Sequence, residues 1–420
     1  MNILNYVIPK KVNTSLIVFY IIIIIIIYKI KYKYIIIILI IIIIIILSLL
    51  YIIINIMNKS DKSVNNIWFN HNDIELKNNI ELENIEGYVL PHASTKYTGD
   101  IISHTLRFKP KKYFNKVYIL YYPSQQKPNV DNKYYHEYYV PWQTLKYVIR
   151  YKWKVYKVKY IGVNINDYDI NKISLKDSLI VVSADFSHFL PLKQAIDLEN
   201  RAAHGLMFRD LNKNHMRVVD DVKTFKILYE LIPNSWNLQW IGRTRSPGLK
   251  GVGYLSFIIK NNNNKIKLPD SIFITAYDQE MNTRECLGEW YNKNNKYSKK
   301  SENLLKNKVL HLAKKTSRLT GGRNKEIPLT HYSISYLYKD NKNDFIRGWH
   351  GIKYNAFYLP EVMLENVYDN GQWMKHNDKQ WPQIYDFNID ETLSKLVSKS
   401  GNQKAIKYDI YYNDIQHFNI

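Results

Sequence analysis

Isoleucine fills the opening of the chain and then gives way. Ser15 to Tyr28 is apolar throughout, Lys29 to Lys33 interrupts it, and Ile35 to Ile54 follows as a second apolar run. A run of that length, taken as a helix, spans a hydrocarbon core, so residues 1–57 are predicted to form a membrane anchor, as one transmembrane helix or a tight hairpin over residues 15–57. Lys29, Lys31 and Lys33 flank the run on one side and Lys59 and Lys62 on the other, so charge fixes no orientation. Near-pure isoleucine is also what an A/T-only coding tract yields, and Met57 opens an ordinary polar segment. Translation from Met1 and translation from Met57 both stay open.

After Ile67 the pattern changes to short apolar runs separated by helix-like stretches. Ile85 to Leu90, Lys116 to Tyr122, Val155 to Val163 and Ser178 to Ser183 are rich in Val, Ile and Tyr and are predicted strands. Behind Pro191, Leu192 to Phe208 carries Ala195, Leu198, Ala202 and Leu206 at the spacing of one helix face. This alternation predicts an α/β fold, a layered domain with a parallel or mixed sheet and flanking helices over residues 64–262. The Asn run at 261–264 marks a linker, and a second, smaller α+β region is expected over 265–420.

Composition changes this picture little. The formal charge is +22, but the basic residues are scattered, with no phosphate loop or aromatic recognition motif, so nucleic acid is not supported by a specific signal. Cys286 is the single cysteine, which excludes an internal disulfide and a Cys-rich zinc cage and fits a reducing, cytoplasmic location, with the N-terminus as membrane anchor.

Two segments carry chemistry. Gly87 to Gly99 contains His92, and Ile180 to Phe189 contains Asp185 and His188, each directly after an apolar run. The carboxyl ends of strands in an α/β sheet form the crevice where ligands bind, so His92, Asp185 and His188 are predicted to converge there. Three readings stay open: a facial metal triad of two imidazoles and one carboxylate, an acid–base His188 oriented by Asp185, or loop histidines that only brace the scaffold.

The segments PHASTKYTG, KVYILYYPSQQ, SADFSH and WIGRTRSP occur in an order that resembles the MEMO family, whose fold is similar to the class III extradiol dioxygenases. The resemblance covers about Gly87 to Lys260. It implies an iron- or copper-binding site in which His92 matches one ligand, while Gln125 and Ile241 stand where the family has a His and a Cys. Neutral amide and aliphatic side chains are poor ligands, so the metal site is expected to be degenerate. Arg243, near the same crevice, is a candidate for anion binding through its planar fork.

The second region resembles the AMMECR family through the blocks around Arg284, Cys286 and Gly288 and through His350, Gly351, Leu359, Pro360 and Val362. Arg284 to Gly288 is expected to be a compact loop, with Glu285 where the family has Gly. An adjacent cation activates a thiol, so Cys286 is a weak nucleophile candidate. The alternative is a cleft in which Arg284 and His350 touch an anionic ligand. By association of the two families, a separate radical S-adenosylmethionine protein is an expected partner. The expected function is a two-domain binding or adaptor protein, with a protein or phosphorylated peptide as partner; the alternative is a metal- or acid–base-dependent modification enzyme.

Overall fold

The computed structural model describes residues 18–30, 32, 41–49, 67–124, 135–246, 250–262, 267–315, 328–341, 344–354, 356–365 and 408–420. Met1–Asn66 and Ile67–Ile420 are separate units. In the first, residues 18–30 and 41–49 are helical. Among the described residues no helix is long and apolar enough to cross a membrane. The expected span from Ile35 to Ile54 lies outside the described residues except at 41–49, and Met57 lies outside them too.

The second unit begins with β1 (Ile80–Leu82), β2 (Ile85–Leu90), α1 (Thr95–Leu106), β3 (Phe108–Pro110), β4 (Lys116–Tyr121) and α2 (His136–Tyr151). It continues with β5 (Lys159–Asn164), β6 (Ser178–Ser183), α3 (Leu192–Met207), α4 (Val222–Leu231), β7 (Trp236–Arg245) and β8 (Gly253–Asn261). Six of these strands form a mixed sheet in the order β5-β4-β6-β2-β8-β7, parallel from β5 to β2 and antiparallel at β8 and β7. β1 and β3 pair separately.

Successive side chains of a strand point to opposite faces, and here both faces are covered. Val89, Leu120 and Val182 join the core beneath α3 and α4, whereas Leu90, Ile119 and Val181 join the core beneath α1 and α2. Strands buried on both sides need largely apolar runs, as in β2, β4 and β6. Each large side chain so buried contributes about 1.5–3 kcal/mol. The fold is therefore mixed α/β, as the alternation predicts. One boundary differs: Val155 to Val158 is not strand, because Lys154 adopts φ 61° and the Val155 N–H turns back to the Ile149 carbonyl (3.0 Å). The ladder with β4 starts only at Lys159.

The rest of the unit comprises β9 (Ser271–Asp278), β10 (Thr283–Trp290), α5 (Lys299–Lys315), β11 (Leu329–Lys339), β12 (His350–Tyr354), β13 (Ala356–Tyr358), α6 (Pro360–Glu365) and β14 (Asp409–Asn419). Its strands form an antiparallel sheet, β10-β9-β11-β14-β12-β13. Ile272, Ile274 and Ile334 face α5 and pack on Leu305 and Val309. The expected loop from Arg284 to Gly288 is instead part of β10, paired with β9 through Cys286 and Thr275. The left-handed residue is Met281 in the preceding turn (φ 58°), so Glu285 carries no such demand.

The two sheets share their cores. Trp349 is buried with the α1–α2 side of the first sheet and Leu364 with the α3–α4 side. Gln239 donates to Asn413 Oδ1 (3.0 Å), and Lys260 pairs with Asp414, fastening β14 to β7 and β8.

Candidate functional site

Leu90 and Ser183 are opposite one another in the parallel pair β2–β6, so the residues that leave those strand ends emerge side by side. His92 and Asp185 do so, and both are buried. The His92 backbone N–H donates to Asp185 Oδ1 (2.9 Å). The Ser183 hydroxyl donates to the Glu137 carbonyl, which leaves its oxygen to accept from His92 Nδ1–H (3.0 Å). The other ring nitrogen, Nε2, lies 3.2 Å from Asp220 Oδ2 and 3.8 Å from Asp185 Oδ2. Asp220 comes from the segment just before α4, whose N-cap is its neighbour Asp221, accepting from the N–H groups of Lys223 and Thr224.

The start of α2 closes the other side. Glu137 Oε1 accepts from the Ser124 N–H (2.8 Å), and Glu137 Oε2 lies 3.3 Å from His136 Nδ1. The His136 ring meets His92 edge-on at 5.3 Å and is stacked on Trp68 at 4.4 Å. Burial alone would depress the His92 pKa, but Asp185 and Asp220, with a smaller contribution from Glu137, outweigh it and hold the ring up at about 10. Burial raises the Asp185 carboxyl, with His92 opposing. Burial lowers His136. His136 and the Ser124 hydrogen bonds lower Glu137 against the raising effect of its own burial. The acidic groups around His92 thus favour its protonated form.

His92 and Asp185 are thus brought together as predicted, but His188 is not their partner. It is exposed, its Nδ1–H donates to the Phe186 carbonyl (2.7 Å), and its backbone bridges to Val252. The Asp185 carboxylate is directed to His92, so the expected Asp185–His188 couple does not form. Neither does a facial triad. Ile241 is fully buried in the middle of β7 among core side chains, away from the strand end that a ligand would need. Gln125 lies outside the described residues.

Iron or copper does not fit the described residues. The nitrogen of His92 that would face an ion faces Asp220 instead. Among the described residues no three His, Cys, Asp or Glu side chains are placed to hold a metal.

Arg243 is a correction of a different kind. Its fork is fully buried and spent within the chain: Nε and Nη2 donate to Glu199 Oε2 (3.1 and 2.7 Å), Nη1 to Asn200 Oδ1 (2.7 Å) and Nη2 to the Ile196 carbonyl (3.1 Å). Nη1 also reaches the Leu364 carbonyl (3.3 Å), so Arg243 clamps α3 and α6 to β7. Gly253 makes room for this pair, since a Cβ there would sit 1.9 Å from Glu199 Oε1.

In the second sheet, His350 is fully buried, accepts the Ile346 N–H at Nδ1 (2.9 Å) and donates from Nε2 to Asp340 Oδ2 (3.2 Å). Burial draws its pKa down to about 4. Both of its ring nitrogens are engaged within the chain. Arg284 is buried as well, and neither residue lines the adjacent cavity. Cys286 does line it, accepting a hydrogen bond from Thr275 Oγ1 (3.2 Å). This cavity, of about 690 Å³, lies between α3, through Asp197, Arg201 and His204, and the face of the second sheet turned away from α5.

Sequence reasoning missed Asp220, Glu137, His136 and Ser183. The Asp220–Asp221 pair before an amphipathic helix is a readable cap signal, and Glu137 is an acidic residue in the first turn of α2. Nothing local links either to His92. Compared with protein-family models and with curated proteins, the chain matches none.

Proposed function

We infer that the chain is a binding protein in which a MEMO-like mixed-sheet layer is joined to an AMMECR-like antiparallel layer. In this reading the inherited metal position around His92 has become scaffold, and a small ligand occupies the cavity between α3 and the second sheet. The observation that carries it is the engagement of both His92 ring nitrogens, Nδ1 with Ser183 and Nε2 with Asp220. A protonated ring in that setting has no lone pair to offer a metal. The cavity, by contrast, has a volume typical of small-molecule sites and mixes aromatic with polar walls.

The test is metal loading of the purified full chain with Fe(II) and, separately, Cu(II), followed by elemental analysis. The expected content is far below one ion per chain and equal in His92→Ala. Stoichiometric metal that disappears in His92→Ala and Asp185→Asn would overturn the reading in favour of a metalloenzyme.

A second reading, an acid–base enzyme, has one observation behind it: the side chains of Asp220 and His136 remain 22 % and 30 % exposed beside buried His92. It requires His92 to exchange its proton near neutral pH, whereas its carboxylate neighbours hold the proton up to about 10.

A further inference from the structure

The cavity exists because the middle of one face of the second sheet is built from small side chains. Cys286, Thr275 and Ser333 are cross-strand neighbours, and Ser335 lies opposite Phe273 in the adjacent register. Core packing would place large apolar groups on such a face, as Ile272, Ile274 and Ile334 do on the other. Hydroxyl and thiol groups instead floor an open space.

Its wall is aromatic. Phe273 and Phe357 lie 4.9 Å apart, and Trp290 is 5.6 Å from Phe357. Gly288 permits this arrangement, because a Cβ there would meet the Phe273 ring at 2.3 Å.

Most charges around the cavity are already paired. Arg201 is held by Asp197 (3.3 Å) and Glu280 (2.7 Å), and His204 by Glu365 (2.8 Å). Two are not. Lys353 packs its ammonium 3.5 Å from the centre of the Trp290 ring, and among the described residues no carboxylate lies within ion-pair distance of it. Asp409 and Asp270 act on Lys353 only from beyond that distance, and Asp409 is already paired with Lys339. Glu361 is 8 % exposed, accepts from Asn413 Nδ2 at Oε1 (3.0 Å), and leaves Oε2 with no hydrogen-bond partner. A partly desolvated cation with no carboxylate in direct contact is completed by an anion, and a buried carboxyl oxygen without a donor by an N–H or O–H group.

We propose that this cavity binds a small planar aromatic or heteroaromatic molecule that carries an anionic group for Lys353 and a hydrogen-bond donor for Glu361. The proposal rests on the cavity being the ligand site and adds the chemistry of the ligand. Burial lowers the Lys353 pKa and raises that of Glu361 to about 7, as expected of groups waiting for a partner.

The test is calorimetric titration of the full chain with adenosine 5′-monophosphate and with L-tryptophan, two sources of the same chemistry. Adenosine, which lacks the anion, and inorganic phosphate, which lacks the ring, serve as controls. At least one complete probe is expected to bind saturably with Kd below about 1 mM, and to weaken at least about tenfold in Lys353→Met. Ala356→Trp, at the edge of the cavity on β13, is expected to abolish binding, and Lys353→Met, at a partly exposed site, keeps the test independent of folding. If adenosine binds as well as its monophosphate and Lys353→Met changes nothing while Ala356→Trp blocks binding, the anion claim is overturned and the cavity reading stands. If binding survives Ala356→Trp, the cavity reading itself fails. No saturable binding by either complete probe overturns the ligand class, leaving the metal-loading result to decide the broader reading.

Discussion

His92 Nε2 lies 3.2 Å from Asp220 Oδ2, although the two residues come from a strand end and a helix entrance far apart in the chain. The pair closes the site that His92 would otherwise open to a metal. Asp220→Asn removes the nearest counter-charge of a buried imidazolium and is expected to cost about 3 kcal/mol of stability at pH 7, measured by urea unfolding. A change below about 0.5 kcal/mol would show the pair to be incidental.

Arg243 and Glu199 form a clamp rather than an anion site. Arg243→Met strands a buried carboxylate and should destabilise the protein by about 3–5 kcal/mol, while adding Glu199→Gln should recover part of that loss. Urea unfolding of the two single variants and the double variant gives the coupling. Additive losses would contradict the clamp.

Acid and alkali should act through different histidines. The pKa of His350 falls from 6.5 to about 4 on folding, so its contribution is present above pH 6.5 and is lost as pH falls toward 4, by about 3 kcal/mol in all. Burial likewise pulls His104 and His417 down to about 3, adding to the same acid limb. His92 has the opposite sign. Raised to about 10, its contribution is complete below pH 6.5 and is lost as pH rises toward 10. Unfolding free energies measured from pH 4 to 10 should therefore fall at both ends. His350→Gln should flatten only the acid side and His92→Gln only the alkaline side.

Much of the architecture is legible in the sequence because it depends on local pattern. The largely apolar runs of Ile85–Leu90 and Ser178–Ser183 are strands buried on both faces, and Ala195, Leu198, Ala202 and Leu206 do line the buried face of α3. The juxtaposition of His92 and Asp185 follows from where parallel strands end. The remainder of the centre is illegible, because Asp220 and Glu137 reach His92 from two further elements with no shared motif, and Ser183, although in the same segment as Asp185, reads only as the end of a strand. Arg243 misleads because a planar fork suits an internal carboxylate as well as a ligand, and only burial distinguishes the two. Arg284 to Gly288 reads as a loop on its Cys and Gly, although the successive partners Ala276, Thr275 and Ile274 make it a strand.

Gly288 carries a packing demand that its place in β10 explains. Gly288→Ala would drive a methyl group into the Phe273 ring and should cost about 1–3 kcal/mol, with a change in near-ultraviolet circular dichroism from the Phe273–Trp290–Phe357 cluster. An unchanged spectrum with unchanged stability would contradict the cavity wall as described.

The enclosed state of His92 is most directly read by nitrogen-15 NMR of histidine-labelled full-length protein, with the His92 signal identified by its loss in His92→Gln. At pH 8 both ring nitrogens should show the shifts of a protonated imidazolium, unaltered by added zinc. A neutral ring at that pH, or a nitrogen signal that moves on stoichiometric zinc binding, would contradict the account.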